Sequence, residues 1–468
     1  MTEDSLQERR GDGGRAEVAP SQASAYSQSL AGSGASWRWL LAKEWRELLA
    51  SRAYWILLLL VGPLVGNGFI TAINLYAEAS GIGGGAAALT QGLTPLDGIL
   101  VPTFGAYDLA VTLLFPFVVI RLVAAEKQSG ALKLILQFPT GLTSAMAAKT
   151  LALGLGWLVA WLPGMIALLL WKHYGGHLYG PETLNLLLGH LLHMALSTGV
   201  AVAAAAIAES AASAAIVTLG FTVGTWALDF IAAGRGGLLQ ELAAYTPTAA
   251  LRVFEQGLLR LSTVIVIAAF SLAGVALAVI WLHTGRSWRY RGLATATVVV
   301  GLVLAVFPAT RLRPSWDMSE NRRNSFAPAD EAVLRQIKEP LKITVYLAPE
   351  DPRLTDFERS ILVKLRRLLP RVEVDYTAGS HTGLFESDED HYGEIWYELS
   401  AKRVMNRSTT EAIVLEQLYD LAGLSPPERV EENDFPGYPL AARPAGAAWI
   451  YYLFWPLTIV VSWWLIRR

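Results

Sequence analysis

The chain has 468 residues, 53% of them hydrophobic, with 16 Trp, no Cys and a formal net charge of -2. That apolar balance, with a mean hydropathy of +0.38, excludes an ordinary soluble domain. The missing basic surplus excludes a typical nucleic-acid binder, and the absence of Cys removes disulfide frameworks, thiolate metal sites and thiol nucleophiles together.

Residues 1–36 are rich in Gly, Ser, Ala and charge without an apolar run, which predicts a disordered tail rather than a cleaved signal peptide. The following stretch, "WRWLLAKEWRELLASR", sets Trp37, Trp39 and Trp45 among Lys43, Glu44 and Arg46. This pattern predicts an amphipathic elbow helix lying at the lipid surface.

A bilayer core of roughly 30 Å needs about 20 apolar residues in helical form. Eight stretches qualify: 54–76, 105–125, 147–171, 185–208, 212–233, 261–283, 291–310 and 446–466. The predicted fold class is therefore an all-α polytopic membrane protein with a small α/β domain inserted before the last span. Asp108 and Arg121 fall near the ends of the second span, where long polar side chains reach the interface. Pro116 and Pro163 predict kinks, and the short "ESAA" between spans four and five predicts a tight helical hairpin.

Lys and Arg in short loops set the orientation. With a cytoplasmic N-terminus, the inner side carries Arg38, Lys43, Arg46, Arg52, Arg121, Lys127, Lys133 and Lys149, then Arg286, Arg289, Arg291, Arg467 and Arg468. The outer side carries Lys172, Arg235, Arg252 and Arg260. Both termini are thus placed in the cytoplasm and residues 311–445 outside it.

The connector between spans two and three, "AAEKQSGALKLILQFPTG", places Leu132, Ile135 and Leu136 at helical spacing between Gly130 and Pro139. Two turns of helix are not stable alone, so the piece must rest on lipid or on a partner. An elbow helix followed by six spans, with a first cytoplasmic loop of the form E-K-x-S-G-x-L…L…F-P-T…K, resembles the permease subunits of type-two ABC exporters, in the style of NosY-like and GldF-like proteins. The resemblance covers about Trp37 to His283, and Glu126, Gly130, Leu132, Pro139 and Lys149 occupy its pattern positions. It implies that this loop is a coupling helix gripped by a separate ATPase subunit, with Leu132 and Leu136 as docking residues, and that two permease copies assemble. No Walker A pattern occurs in the sequence, so ATP is expected on the partner and no cofactor or metal on this chain.

Beyond Arg311 the composition turns polar. Alternating runs at 341–348, 371–377 and 393–400 predict strands. Thr355 with Glu358, and Ser408 with Glu411, have the spacing of capping boxes opening two helices, the first stopped by Pro370 and the second by Gly423. The stretch "WDMSENRRNSFAPADEAVLRQIKEPLKITVYL" resembles the opening of GldG-type auxiliary proteins of gliding-associated ABC systems. Trp316, Asp317, Ser319, Glu320, Arg323, Ser325 and Pro328 lie on that pattern. The region is shorter than in that family, which implies a fusion of a permease to a truncated auxiliary domain and a possible envelope partner through 311–425.

The predicted divisions are thus 1–36 tail, 37–283 six-span permease, 284–310 loop and seventh span, 311–425 extracytoplasmic domain, 426–445 Pro-rich linker and 446–468 last span. His173, His177, His190 and His193 read as interfacial histidines, the acidic loop 381–394 as solvated, and Asp317 and Glu320 as local partners of Arg322 and Arg323. Asp108 and Asp229 are candidate substrate-path residues at the membrane boundary, and no ionisable relay deep in the membrane is expected. No H-E-x-x-H, G-x-S-x-G or Cys nucleophile is present. The leading expectation is an ABC exporter permease in a bacterial inner membrane, for which lipidic or amphiphilic cargo, or no cargo, fits better than a polar solute. The alternative is an ATP-powered lever on envelope machinery.

Overall fold

A computed structural model describes residues 33–81, 93–132, 141–232, 238–283, 285–348, 351–377, 391–427 and 435–468. The elbow helix α1 (Ser33–Ala50) is followed by α2 (Arg52–Ala79), α3 (Leu96–Ser129), α4 (Gly141–Ala160), α5 (Leu162–His173), α6 (Gly180–Ile207) and α7 (Ala211–Ala232). Two short helices, α8 (Leu238–Ala243) and α9 (Pro247–Glu255), and a strand β1 (Leu258–Arg260) lead to α10 (Leu261–Leu282) and α11 (Trp288–Thr310). The last helix, α16 (Ala447–Arg467), returns to the bundle after the polar segment.

Among the described residues, eight helices are long and apolar enough to cross a membrane, with α4 and α5 counted as one, and they coincide with the eight stretches read from hydropathy. The chain is a polytopic helical membrane protein. The break between α4 and α5 falls at Trp161, two residues before Pro163, as expected where proline cannot donate into the helix. Pro116 leaves α3 continuous.

The bundle has two distinct ends. At one, α1 lies against α4, and the termini of α2, α3, α6 and α10 gather there. At the other, Tyr438 of the linker is bonded to Tyr76 and Leu93, and Tyr174 to Ala445. We call these the elbow end and the sheet end.

The main core is built from α2, α3, α4, α5 and α6, with Tyr54, Phe69, Phe104, Phe115, Trp157 and Trp171 all sealed from solvent. Helices α7 and α11 are peripheral, with only 11% and 6% of their most apolar windows covered. Helices α6 and α10 meet backbone to backbone. A methyl group added at Gly199 would sit 2.7 Å from the Ser271 carbonyl oxygen, and one at Gly274 would sit 2.5 Å from that of Gly199. Small residues at such a crossing let the backbones meet, which is how apolar helices associate where lipid offers no hydrophobic drive.

Between α11 and α16 the chain first forms β2 (Ser315–Asp317), which pairs antiparallel with β1. Helix α12 (Pro328–Leu334), β3 (Leu341–Val345), α13 (Pro352–Phe357), α14 (Val363–Leu368), β4 (Val372–Tyr376), β5 (Ile395–Leu399), β6 (Lys402–Asn406) and α15 (Glu411–Ala422) follow. The sheet order is β4-β3-β5-β6, with β3 parallel to β4 and the other pairs antiparallel. This unit has its own core, including Phe326, Ile343, Phe357, Tyr397 and Tyr419.

The three predicted strands are present, and a fourth, β6, joins them. Neither capping box forms. Asp351 caps α13 by accepting from the Arg353 amide at 2.9 Å, so the helix starts ahead of Thr355. The α15 N-cap is Thr410, and Ser408 instead accepts from the Thr410 amide. Gly423 ends α15 in the left-handed region, as expected.

Gly199→Ala should force α6 and α10 apart at a backbone contact and lower stability by about 1–3 kcal/mol. A thermal unfolding curve in detergent that matches wild type would refute that account of the crossing.

Candidate functional site

The sequence-selected residues of the elbow helix and of the connector meet in one cluster at the elbow end. Helix α1 turns Glu44 toward α4, where the Lys149 ammonium lies, both with only 3% of the side chain exposed. Lys149 pairs with Glu44 and, at 3.2 Å, with Glu126 near the end of α3. Lys43 pairs with the same Glu126, with Glu44 at 2.9 Å and with Glu47 at 3.1 Å. Glu47 was not singled out from sequence, although it stands one helical turn beyond Lys43.

Two ammonium groups and three carboxylates therefore share one partly dry site. Burial acts to lower the Lys43 pKa, but hydrogen bonds to Glu126 and Glu44 outweigh it and raise the value above the usual lysine range. Burial raises Glu47, opposed by Lys43 and Lys149. The three carboxylates come close enough to hold a cation. Lys43 and Lys149 already stand between them, so the donor set is matched to internal lysines and does not fit a metal ion.

The start of the connector explains the rest of its motif. Lys127 caps the end of α6 through the carbonyls of Ala206 and Ala208, at 2.9 and 2.7 Å. Gly130 adopts φ 76° and ends α3, a conformation that costs other residues steric strain. Leu132 is 5% exposed and belongs to the main core. It faces the bundle rather than a partner, which corrects its reading as a docking residue. Leu136 and Pro139 lie outside the described residues. On α1, Trp39 is exposed and Trp45 packs against the core, while Lys43 and Glu44 face protein, not lipid.

A second cluster lies deeper. Asp108 of α3 is 3.4 Å from His193 Nε2 and 4.0 Å from His190 Nδ1 of α6. Thr112 bonds to both Asp108, at 3.3 Å, and His193, at 3.1 Å. At about 1.5 Å per residue, His193 is about 20 Å from either end of α6. His190 and His193 are thus buried inside the bundle, not interfacial, and Asp108 stands with them rather than at the boundary. No ionisable relay was expected from the sequence, yet these three groups gather near the middle of their helices. Asp229 stays near the surface, paired with Arg252 at 3.1 Å.

At the sheet end, the Trp316–Ser325 stretch clamps onto the bundle. Asp317 accepts from the Ser319 amide and hydroxyl, both nitrogens of Asn324 and the Ser325 hydroxyl, at 2.5–3.2 Å. Glu320 accepts from Tyr438 OH at 2.6 Å and meets His177 at 3.0 Å. Arg323 forks onto Asp97 and Thr94. Asp317 and Glu320 therefore do not pair with Arg322 and Arg323 as expected, because the turn and the bundle take their lone pairs. Of the acidic loop 381–394, residues 381–390 lie outside the described residues.

The chain matches no protein-family model, no characterised protein and no solved structure.

Lys149→Met should destabilise the fold by about 3 kcal/mol, because it leaves the buried Glu44 and Glu126 with only the part-exposed Lys43 as counter-charge. Adding Glu44→Gln should recover part of that loss in a double-mutant cycle, and strictly additive unfolding energies would show that the groups do not interact.

Glu255, at the end of α9, gives a pH signature. Burial and the Asp108 charge push its carboxyl up to about 7 against the pull of Arg252. The folded state then holds this proton more tightly than the unfolded chain. Its stabilising effect is complete below the ordinary value of 4.5 and is lost as pH rises through about 7. Wild-type Tm should fall across that window, and Glu255→Gln should flatten the fall.

Proposed function

We propose that this chain is the membrane subunit of an ABC exporter, driven by a separate ATPase that docks on the connector between Glu126 and Lys149. The observation that carries the reading is the five-charge cluster. Both ends of the connector, Glu126 and Lys149, are bonded to one elbow helix, so a pull on the connector displaces α1, α3 and α4 as a unit. That is the mechanical property an ATPase-coupling loop requires, and the resemblance to type-two exporter permeases supplies the identity of the driver.

In this reading the elbow end faces the cytoplasm of a bacterial cell, and the sheet unit is an extracytoplasmic, shortened GldG-like α/β domain. A second copy completes the transport unit, and ATP binds on the partner. The apolar spans favour lipidic or amphiphilic cargo.

A mechanical alternative is favoured by the clamp. Glu320, Arg323, Tyr438 and His177 tie the sheet unit to the bundle where the helices end. Motion at the elbow end would then reach the outer domain, and through it an envelope partner, without any cargo.

The docking proposal is tested by co-purification from native membranes. Leu136→Asp should reduce an accompanying ATPase at least tenfold while the permease keeps its wild-type Tm. Leu132→Asp should instead lower Tm, since it buries a charge. Retention of the ATPase at full stoichiometry by Leu136→Asp, or reporter fusions placing the connector outside the cytoplasm, would overturn the reading.

A further inference from the structure

Two histidines inside the bundle have polar atoms that nothing accounts for. His190 is 2% exposed and His193 8%. Among the described residues, both ring nitrogens of His190 and Nδ1 of His193 have no hydrogen-bond partner. Buried nitrogens of this kind cost free energy unless something occupies them part of the time.

The hydrogen-bond pattern fixes which nitrogen is open. Thr112 has a single hydroxyl proton, and its bond to Asp108 uses that proton. Its oxygen must then accept from His193 Nε2–H. The lone pair of neutral His193 is therefore on Nδ1, buried and unfilled.

The size of the adjoining space restricts the ligand. Thr112, His193, Ser197, Thr218 and Thr222 help line a cavity of ≈ 20 Å³ between α3, α6 and α7. Such a volume admits about one water and no organic headgroup. Toward the sheet end, Glu255 lines a much larger polar cavity of ≈ 580 Å³ with Asp97, Arg252 and Arg323. Glu255 feels the Asp108 charge.

We propose that Asp108, His190 and His193 form an intramembrane proton-binding site, served by a single water and approached from the sheet end past Glu255. The charged groups around it are Asp108 itself on α3, Glu255 and Arg252 on α9, and Asp229 on α7, the last neutralised by Arg252. In the uptake step, a protonated water gives its proton to His193 Nδ1. The imidazolium passes its Nε2 proton to the Thr112 oxygen as the Thr112 hydroxyl gives its own proton to Asp108. One proton is then held as a neutral carboxylic acid beside a neutral imidazole of the opposite tautomer, and the water leaves uncharged. His190 is the second acceptor, its Nδ1 buried 4.0 Å from the same carboxylate. Packing around Asp108 then differs between the charged and neutral states, so the α3–α6 contact is linked to proton occupancy.

The test does not depend on any ATPase. The full chain in lipid nanodiscs is titrated by infrared spectroscopy from about pH 4 to 9, a range that brackets ordinary carboxyl and imidazole values. Wild type should show a protonated-carboxyl band that Asp108→Asn removes. His193→Phe, which replaces the imidazole 3.4 Å from that carboxylate with an apolar ring, should move the band's midpoint upward by about one pH unit, a tenfold change in proton affinity. An identical spectrum for wild type and Asp108→Asn at every pH overturns the proposal, as does an unmoved midpoint in a folded His193→Phe. Should either variant fail to fold, nitrogen chemical shifts of the wild-type histidines decide. Pronounced tautomer or protonation changes at two buried rings support the site, and shifts that stay constant across the range overturn it.

Discussion

The arrangement of the elbow end depends on one constraint: an ammonium group cannot remain charged in a low-dielectric environment without fixed counter-charges. Lys149 stands two turns inside α4, where neither water nor lipid headgroups can serve it. Glu44 and Glu126 must therefore be held against it, and each comes from a different helix. The position of the elbow helix follows from this requirement as much as from apolar packing. Its Leu48 nests over Gly156 of α4 on the same face that carries Glu44. An amphipathic helix that would otherwise float on a lipid surface is thereby riveted to the bundle. Lys43 and Glu47 complete the charge balance at the wetter edge, which makes the cluster graded in exposure rather than fully sealed.

The membrane part was largely legible in the sequence because a single physical variable, hydropathy over about 20 residues, decides it. All eight spans, the hairpin between α6 and α7 and the break near Pro163 follow from that variable and from proline chemistry. Side-chain partnership was not legible. Glu126 and Lys149 stood out through a motif, yet the motif does not say that they touch, nor that both touch an elbow helix 83 and 105 residues earlier. His190 and His193 show why depth is misjudged. They lie close to Trp171, Tyr174 and Tyr179 in the chain, an interfacial company, but the helix that carries them begins at Gly180 and brings them to its middle. The i, i+3 spacing was the available signal; the Asp108 partner on another helix was not.

The sheet unit shows the same division. Alternating apolar residues announced β3, β4 and β5, whose inner faces are buried in β3 and β5 and half-buried in β4. Strand β6 escaped because it is an edge strand carrying Lys402 and Arg403, and charge on an edge is a device against unwanted pairing as well as a disguise. The capping boxes failed for a local reason. Asp351 stands just ahead of Pro352, and a proline at the first helical position with an acidic cap before it starts the helix earlier than Thr355 can. At Asp317, sequence proximity to Arg322 and Arg323 was a poor guide. A carboxylate with amides and hydroxyls within one turn satisfies itself there at less entropic cost than by ordering a long arginine.

The glycine crossing of α6 and α10 has a consequence for how strain travels along the molecule. Helices whose backbones touch cannot slide or roll past one another without opening a void, so the two act as a single strut. Its lower tip is gripped by Lys127, and its upper tip runs directly into β1, which is zipped to β2 and hence to the polar unit above. Any shear imposed beside Gly130 is therefore delivered some 30 Å away with little loss.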